Sequence, residues 1–224
     1  MQITYWVDIG KHEDYTKVQE YAKHVKINKN ILCVIPARGG NKGIPNKNIK
    51  KLNGKPLIAY TIEVARQIFN NEDICVSTDE QQIMGIVESY GLQVPFVRPS
   101  YLATDIATTQ DVLKHAVDFY ERNGRFYEIV LLLQPTSPFR LKRHVQEAIE
   151  LYREDCDMVV SVKASSSNPY YNLFEEDEFG NLHISKGNEN FTRRQDAPKV
   201  WEYNGSIYVI NTDSLKKYAI SDFK

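Results

Sequence analysis

From residue 31 onward, short apolar runs alternate with longer segments whose apolar positions recur at helical spacing. The runs at 31–35, 73–77, 94–97, 129–133, 158–162 and 206–210 predict strands. The amphipathic segments at 57–69, 80–90, 109–123 and 144–152 predict helices. Strands separated by helices of this length build βαβ units. The pattern therefore predicts an α/β fold, a three-layer sandwich around a mainly parallel, doubly wound sheet. The run at 129–133 reads IVLLL, apolar on both faces, which predicts a central strand.

Between 163 and 201 the pattern changes. Ser, Asn, Tyr, Glu and Asp dominate, and only short strands such as 182–185 are predicted. This is too long for an ordinary connection and predicts a hairpin-like subdomain. Exposed aromatics there (Tyr170, Tyr171, Phe174 and Phe179) suit docking onto a partner subunit; a mobile substrate lid is the alternative.

A chain of 224 residues buries one sizeable core, with room for a small appendage. The formal net charge of −1 argues against a dedicated nucleic-acid binder. Three widely spaced cysteines, Cys33, Cys75 and Cys156, read as reduced residues of a cytoplasmic protein. No apolar run reaches membrane length and no signal peptide is recognisable.

The candidate chemistry lies in the loop after the first strand. Pro36 ends an apolar run, and Arg38, Lys42 and Lys47 follow with Gly39, Gly40 and Gly43 among them. Glycines let main-chain N–H groups approach phosphate oxygens, arginine offers a planar fork, and lysines act as mobile charges. The spacing is neither the Walker pattern nor G-x-G-x-x-G. A solvated basic loop remains the alternative, but a loop at the carboxyl end of a buried strand favours a ligand, with a nucleoside triphosphate the leading candidate.

Several separated motifs agree: P-A-R-G-G-N-K-G-I-P-N-K-N at 36–48, L-N-G-K-P-L-I at 52–58, V-S-T-D at 76–79, R-P-S-Y-L-A-T-D at 98–105, L-L-Q-P-T-S-P-F-R at 132–140 and N-G-S-I-Y at 204–208. In this order, over roughly 31–220, the chain resembles the acylneuraminate cytidylyltransferases. These include relatives that activate legionaminic, pseudaminic and other nonulosonic acids. The resemblance implies a Rossmann-like homodimer in which a keto-sugar acid attacks the α-phosphate of CTP, with Mg2+ spreading the charge. It implies no nucleic-acid or membrane partner.

Carried over residue by residue, the resemblance places Arg38, Lys42 and Lys47 on the triphosphate as the catalytic positive charges. Asn48 closes the loop, Ala37 and Gly39 offer backbone contacts to the cytosine, and Arg98 lies near the nucleotide. Gln134 contacts the sugar acid, Asn204 and Gly205 shape its pocket, and Arg194 crosses a dimer to its carboxylate. Thr136 and Ser137 read as turn residues, and Asp79 as a helix cap.

The chain departs from the family at both ends. The family's D-x-D metal segment would follow S-D-F-K at 221–224, so 31–224 reads as a C-terminally incomplete domain with 163–201 as its dimerisation or lid portion. Residues 1–30 read as an extension, since Y-W-V-D-I-G-K-H-E-D-Y-T-K-V at 5–18 resembles the tail of a sugar-phosphate nucleotidyltransferase. A permuted metal ligand at Asp8 is the lesser alternative, and a coincidental surface helix a third. The rival functions are a catalytically silent nucleotide-binding module and a cytidylyltransferase for a different keto-sugar acid.

Overall fold

A computed structural model describes residues 30–40, 43–187 and 191–224. The chain divides into two compact units, one formed by residues up to 160 together with 205–224, the other by 161–204. The elements are β1 (Ile31–Pro36), β2 (Lys51–Leu52), β3 (Lys55–Pro56), α1 (Leu57–Arg66), β4 (Ile74–Ser77), α2 (Gln81–Ser89), α3 (Thr109–Arg122) and β5 (Ile129–Leu133). They continue with α4 (Lys142–Glu150), β6 (Met158–Ala164), β7 (Phe174–Glu176), β8 (Leu182–Ile184), β9 (Trp201–Asn211) and α5 (Thr212–Lys217).

The main sheet runs β4-β1-β5-β9-β6. β1 lies parallel to both neighbours, with Cys33 opposite Ile74 on one side and Leu131 on the other. Its residues alternate between two apolar layers. Cys33 and Ile35 face Ile58 and Ile62 of α1, Val87 of α2 and Val145 of α4. Leu32 and Val34 belong with Leu113 and Val117 of α3 and Leu215 of α5. Period-two alternation in a strand covered by helices on both faces gives the three layers. Leu32, Val34, Leu131 and Leu133 are completely buried, as expected of central strands.

One expectation is corrected. No strand forms at 94–97; Val97 makes only an isolated parallel bridge to Thr78. Pro95 removes a donor from that run, and Val97 is exposed, so little favours extending a ladder there. The last strand runs antiparallel to β5, with Leu133 opposite Ile207, which makes the sheet mixed. Hydrophobic content marks a buried strand without fixing its direction.

α3 starts where the sequence supplies a capping box. Thr108 Oγ1 accepts from the Asp111 N–H at 3.1 Å, and the Asp111 carboxylate accepts from the Thr108 N–H at 3.2 Å. All three cysteines are free; burial pushes the Cys33 thiol up to about 12, leaving it inert.

The second unit, 161–204, contains the antiparallel β7–β8 hairpin, with Phe174 opposite Ile184. Asp177 organises the turn by accepting from the N–H groups of Phe179 and Asn181 at 2.9 and 2.8 Å. Asn168 accepts from the Tyr170 N–H and donates to the Pro198 carbonyl, each at 2.9 Å. Phe174, Phe179 and Leu182 are exposed. Apart from Asn30, the proposed extension at 1–30 lies outside the described residues.

Candidate active site

The basic loop is fastened before it can bind anything. The Ala37 N–H continues the β1–β4 ladder to the Ser77 carbonyl at 2.9 Å, and the Gly39 N–H donates to the Asp79 carboxylate at 3.0 Å. A Cβ at position 39 would lie 3.0 Å from the Glu80 carboxylate, so any larger residue would push the Glu80 side chain aside. The chain returns through a short 3-10 turn at Lys47–Ile49, where Asn48 is 5% exposed and donates to the Arg38 carbonyl at 3.0 Å. That bond ties the two arms of the loop together.

Two arginines approach the site in different ways. Arg38 is partly exposed; its Nη2 pairs with Asp105 at 2.6 Å and its Nη1 reaches the Ala103 carbonyl at 3.4 Å. Arg98 is buried, donating from Nε to the Ser77 hydroxyl at 3.0 Å and from Nη2 to the Ser77 carbonyl. Burial, with Arg38 adding to it against Asp79, lowers its pKa to about 10. It stays charged at neutral pH.

These residues share a cleft of about 260 Å³ at the carboxyl ends of β1 and β5, lined by Arg38, Lys47, Asn48, Arg98, Asp105 and Gln134 along with several threonines. Ligands of α/β sheets bind at this end of parallel strands. Gln134 leaves β5 at the cleft wall. The Ser137 N–H donates to its carbonyl at 3.3 Å, which makes 134–137 a turn. Gly205 has φ of +70°, and a side chain there would lie 3.2 Å from Gln134 Oε1. Only glycine takes this conformation freely and leaves the glutamine room.

Five of the residues singled out by sequence therefore meet in one cleft: Arg38, Lys47, Asn48, Arg98 and Gln134. Gly205 abuts Gln134. The N–H groups of Ala37 and Gly39, two residues expected to offer backbone contacts to a base, donate within the protein, which leaves their carbonyl oxygens for such contacts. Asp79 does not cap α2, whose cap position is Glu80 without a side-chain bond; the carboxylate secures Gly39 instead. Arg194 and Asn204 belong to the second unit, where Arg194 donates to the Ser165 carbonyl at 3.0 Å and Asn204 accepts from Ser161 at 2.6 Å. Lys42 and Asp8 lie outside the described residues.

Sequence reasoning missed Asp105 and Arg140. Asp105 ends the R-P-S-Y-L-A-T-D motif and Arg140 ends L-L-Q-P-T-S-P-F-R, so both stood in quoted motifs without an assigned role. Among the described residues Asp105 is the one acid lining the cleft, and it is paired with Arg38. Among the described residues no group of three or more His, Cys, Asp or Glu side chains could hold an ion.

The cytidylyltransferase family model matches residues 32–216. The CMP-N,N'-diacetyllegionaminic acid synthase of Legionella pneumophila is 40% identical over 196 residues, which cover 83% of this chain and 79% of that protein. The N-acylneuraminate cytidylyltransferase of Escherichia coli O18:K1:H7 is 41% identical over 190 residues, covering 81% of this chain but 42% of the longer relative. Among solved structures, a CMP:2-keto-3-deoxy-manno-octonic acid synthetase complexed with CTP superposes with a TM-score of 0.61 at 22% identity, over 84% of this chain and 77% of that one. At that identity the likeness concerns the fold, and it reproduces the α/β architecture. The match runs from the first strand through the cleft to the helix after β9, and the chain belongs to the cytidylyltransferase family.

Proposed function

We propose that this protein transfers CMP from CTP to the anomeric hydroxyl of a nonulosonic acid and releases pyrophosphate. The observation that carries the reading is the meeting of Arg38, Lys47, Asn48 and Arg98 with Gln134 in one cleft. The first four make a polyanion-binding end. Gln134, whose amide both donates and accepts, suits a polyhydroxylated acceptor.

In this reading the anomeric oxygen forms a bond to the α-phosphorus and the bond to the bridging oxygen of the β-phosphate breaks. Pyrophosphate departs with that electron pair, and the hydroxyl proton passes to water. Arg38 stabilises charge on the phosphates as it moves to the leaving group, with Lys47 and Lys42 assisting. Arg98, fixed on Ser77, supplies a positive field that needs no reorganisation. Gln134 holds the acceptor for in-line attack. Mg2+ would spread the charge on the phosphates when bound; no step is routed through it, since among the described residues no group of three or more His, Cys, Asp or Glu side chains gathers to hold it.

The reading includes a homodimer through residues 163–201, supported by the exposed Phe174, Phe179 and Leu182 and checked by sedimentation. Arg194 would meet the acceptor carboxylate across that dimer, and Asn204 would line the acceptor pocket. A cytoplasmic location fits the nucleotide substrate and the free cysteines; among the described residues no helix is long and apolar enough to cross a membrane.

One observation favours a second reading: the single cleft acid, already paired, suits a silent CTP-binding module. Pyrophosphate release by the purified chain, measured with CTP and a panel of keto-sugar acids with and without Mg2+, separates them. Release with a nonulosonic acid supports transfer. CTP binding without release selects the silent module, and release only with an eight-carbon acid redirects the acceptor.

A further inference from the structure

Arg140 is 4% exposed, yet among the described residues no carboxylate pairs with it. It makes four hydrogen bonds, all to neutral oxygens. Nη2 donates to the Gln134 carbonyl at 2.7 Å and the Ser206 carbonyl at 2.8 Å, Nε to the Ser206 hydroxyl at 3.2 Å, and Nη1 to Thr61 Oγ1 at 3.3 Å. One guanidinium thus joins the end of β5, the middle of β9 and the buried face of α1. It grips Gln134 and the residue after Gly205, so both sides of the corner where a Cβ at position 205 would lie 3.2 Å from Gln134 Oε1 share one clamp.

If the clamp were only structural, a neutral side chain would serve at lower cost, because burying an unpaired charge is expensive. Burial lowers the Arg140 pKa to about 10, which still leaves the charge in place at neutral pH. An uncompensated cation directly behind a cleft wall attracts anions to that wall, since charges seen through protein are screened far less than through water. The acceptor assigned to Gln134 is itself an anion.

We propose that Arg140 is a positioning residue for the acceptor: it sets Gln134 and the Gly205–Ser206 corner in one frame, and its unmatched charge selects an acceptor carrying a carboxylate. The inference rests on the transfer reading above and goes beyond it in assigning where preference for an acid arises.

The test compares a nonulosonic acid with its methyl ester, which keeps the hydroxyls and removes the charge. Wild-type protein is assayed first. No pyrophosphate release with any acid overturns the transfer reading, while calorimetric binding of acid and ester still reads Arg140. For Arg140→Met the expected result is a KM for the acid raised about tenfold, KM for CTP within about twofold, and the ester hardly affected. Arg140→Lys, which keeps the charge without the fork, should restore the preference for acid over ester although its melting temperature falls. Equal effects on acid and ester, or an Arg140→Lys variant with no preference for the acid, overturn the proposal. Should Arg140→Met fail to fold, Arg140→Lys decides alone by whether it retains that preference.

Discussion

The two ends of the cleft hold positive charge by opposite means. At the loop end Arg38 is partly exposed and paired with Asp105, so its fork is occupied by a carboxylate, which in the proposed reading a phosphate displaces or shares. At the acceptor end Arg140 is buried among neutral oxygens and has no anion to give up. The first arrangement keeps a mobile, exchangeable contact ready for a highly charged ligand. The second builds a rigid frame whose charge acts without moving. An exposed pair contributes little to folding, typically about 0.2–1 kcal/mol, whereas losing a buried, multiply bonded arginine leaves several oxygens unsatisfied. The same residue type thus stands partly exposed in an ion pair at one end and buried among neutral oxygens at the other.

That contrast breaks most visibly at Arg38. Arg38→Ala should lower turnover about 100-fold or more, the scale of removing a charge-stabilising donor, while the melting temperature barely moves. Parallel loss of both, read by pyrophosphate release and thermal melting, would make the loop end architectural too. Gly205→Ala tests the frame itself. Forcing a side chain into φ +70° and against Gln134 should cost about 1–2 kcal/mol in denaturant midpoint and raise KM for the acid without affecting CTP.

Asn48→Ala sits between these extremes, because the tie to the Arg38 carbonyl belongs to the loop but is buried. About 1–2 kcal/mol of stability should be lost, together with weaker CTP binding by calorimetry. The smallest effect is expected at Asp105→Asn. Removing that ion pair should tighten CTP binding only about two- to fivefold in low salt, and screening should erase the gain at high salt. Weaker binding would show instead that Asp105 orients the fork.

The parts of this molecule legible in its sequence are those whose burial is written locally. β1 and β5 are apolar on every position and stand out, and the loop between Pro36 and Asn48 advertises its charge and glycines. Run 94–97 looks similar in composition but carries Pro95 and ends in a single bridge. The antiparallel direction of β9 was not legible, because alternation is the same read in either direction. Arg140 was hidden for another reason. A charged residue after a proline turn reads as surface, and its burial follows from oxygens contributed by Thr61 and Ser206, remote in sequence. Asp105 likewise acquires meaning only from Arg38, 67 positions earlier.

The placement of β9 also sets a timetable for the growing chain. Strands β4, β1 and β5 are all made by residue 133, and Arg140 follows at once, but Ser206 comes 66 positions later. At roughly 5–20 residues per second of synthesis, that is a lag on the order of several seconds. During it the whole 161–204 unit is made, while the guanidinium has Gln134 and Thr61 but neither oxygen of Ser206. A nascent chain therefore owns the loop after β1 well before the corner at Gly205 and Ser206, and β9 is the strand whose insertion closes the grip of Arg140.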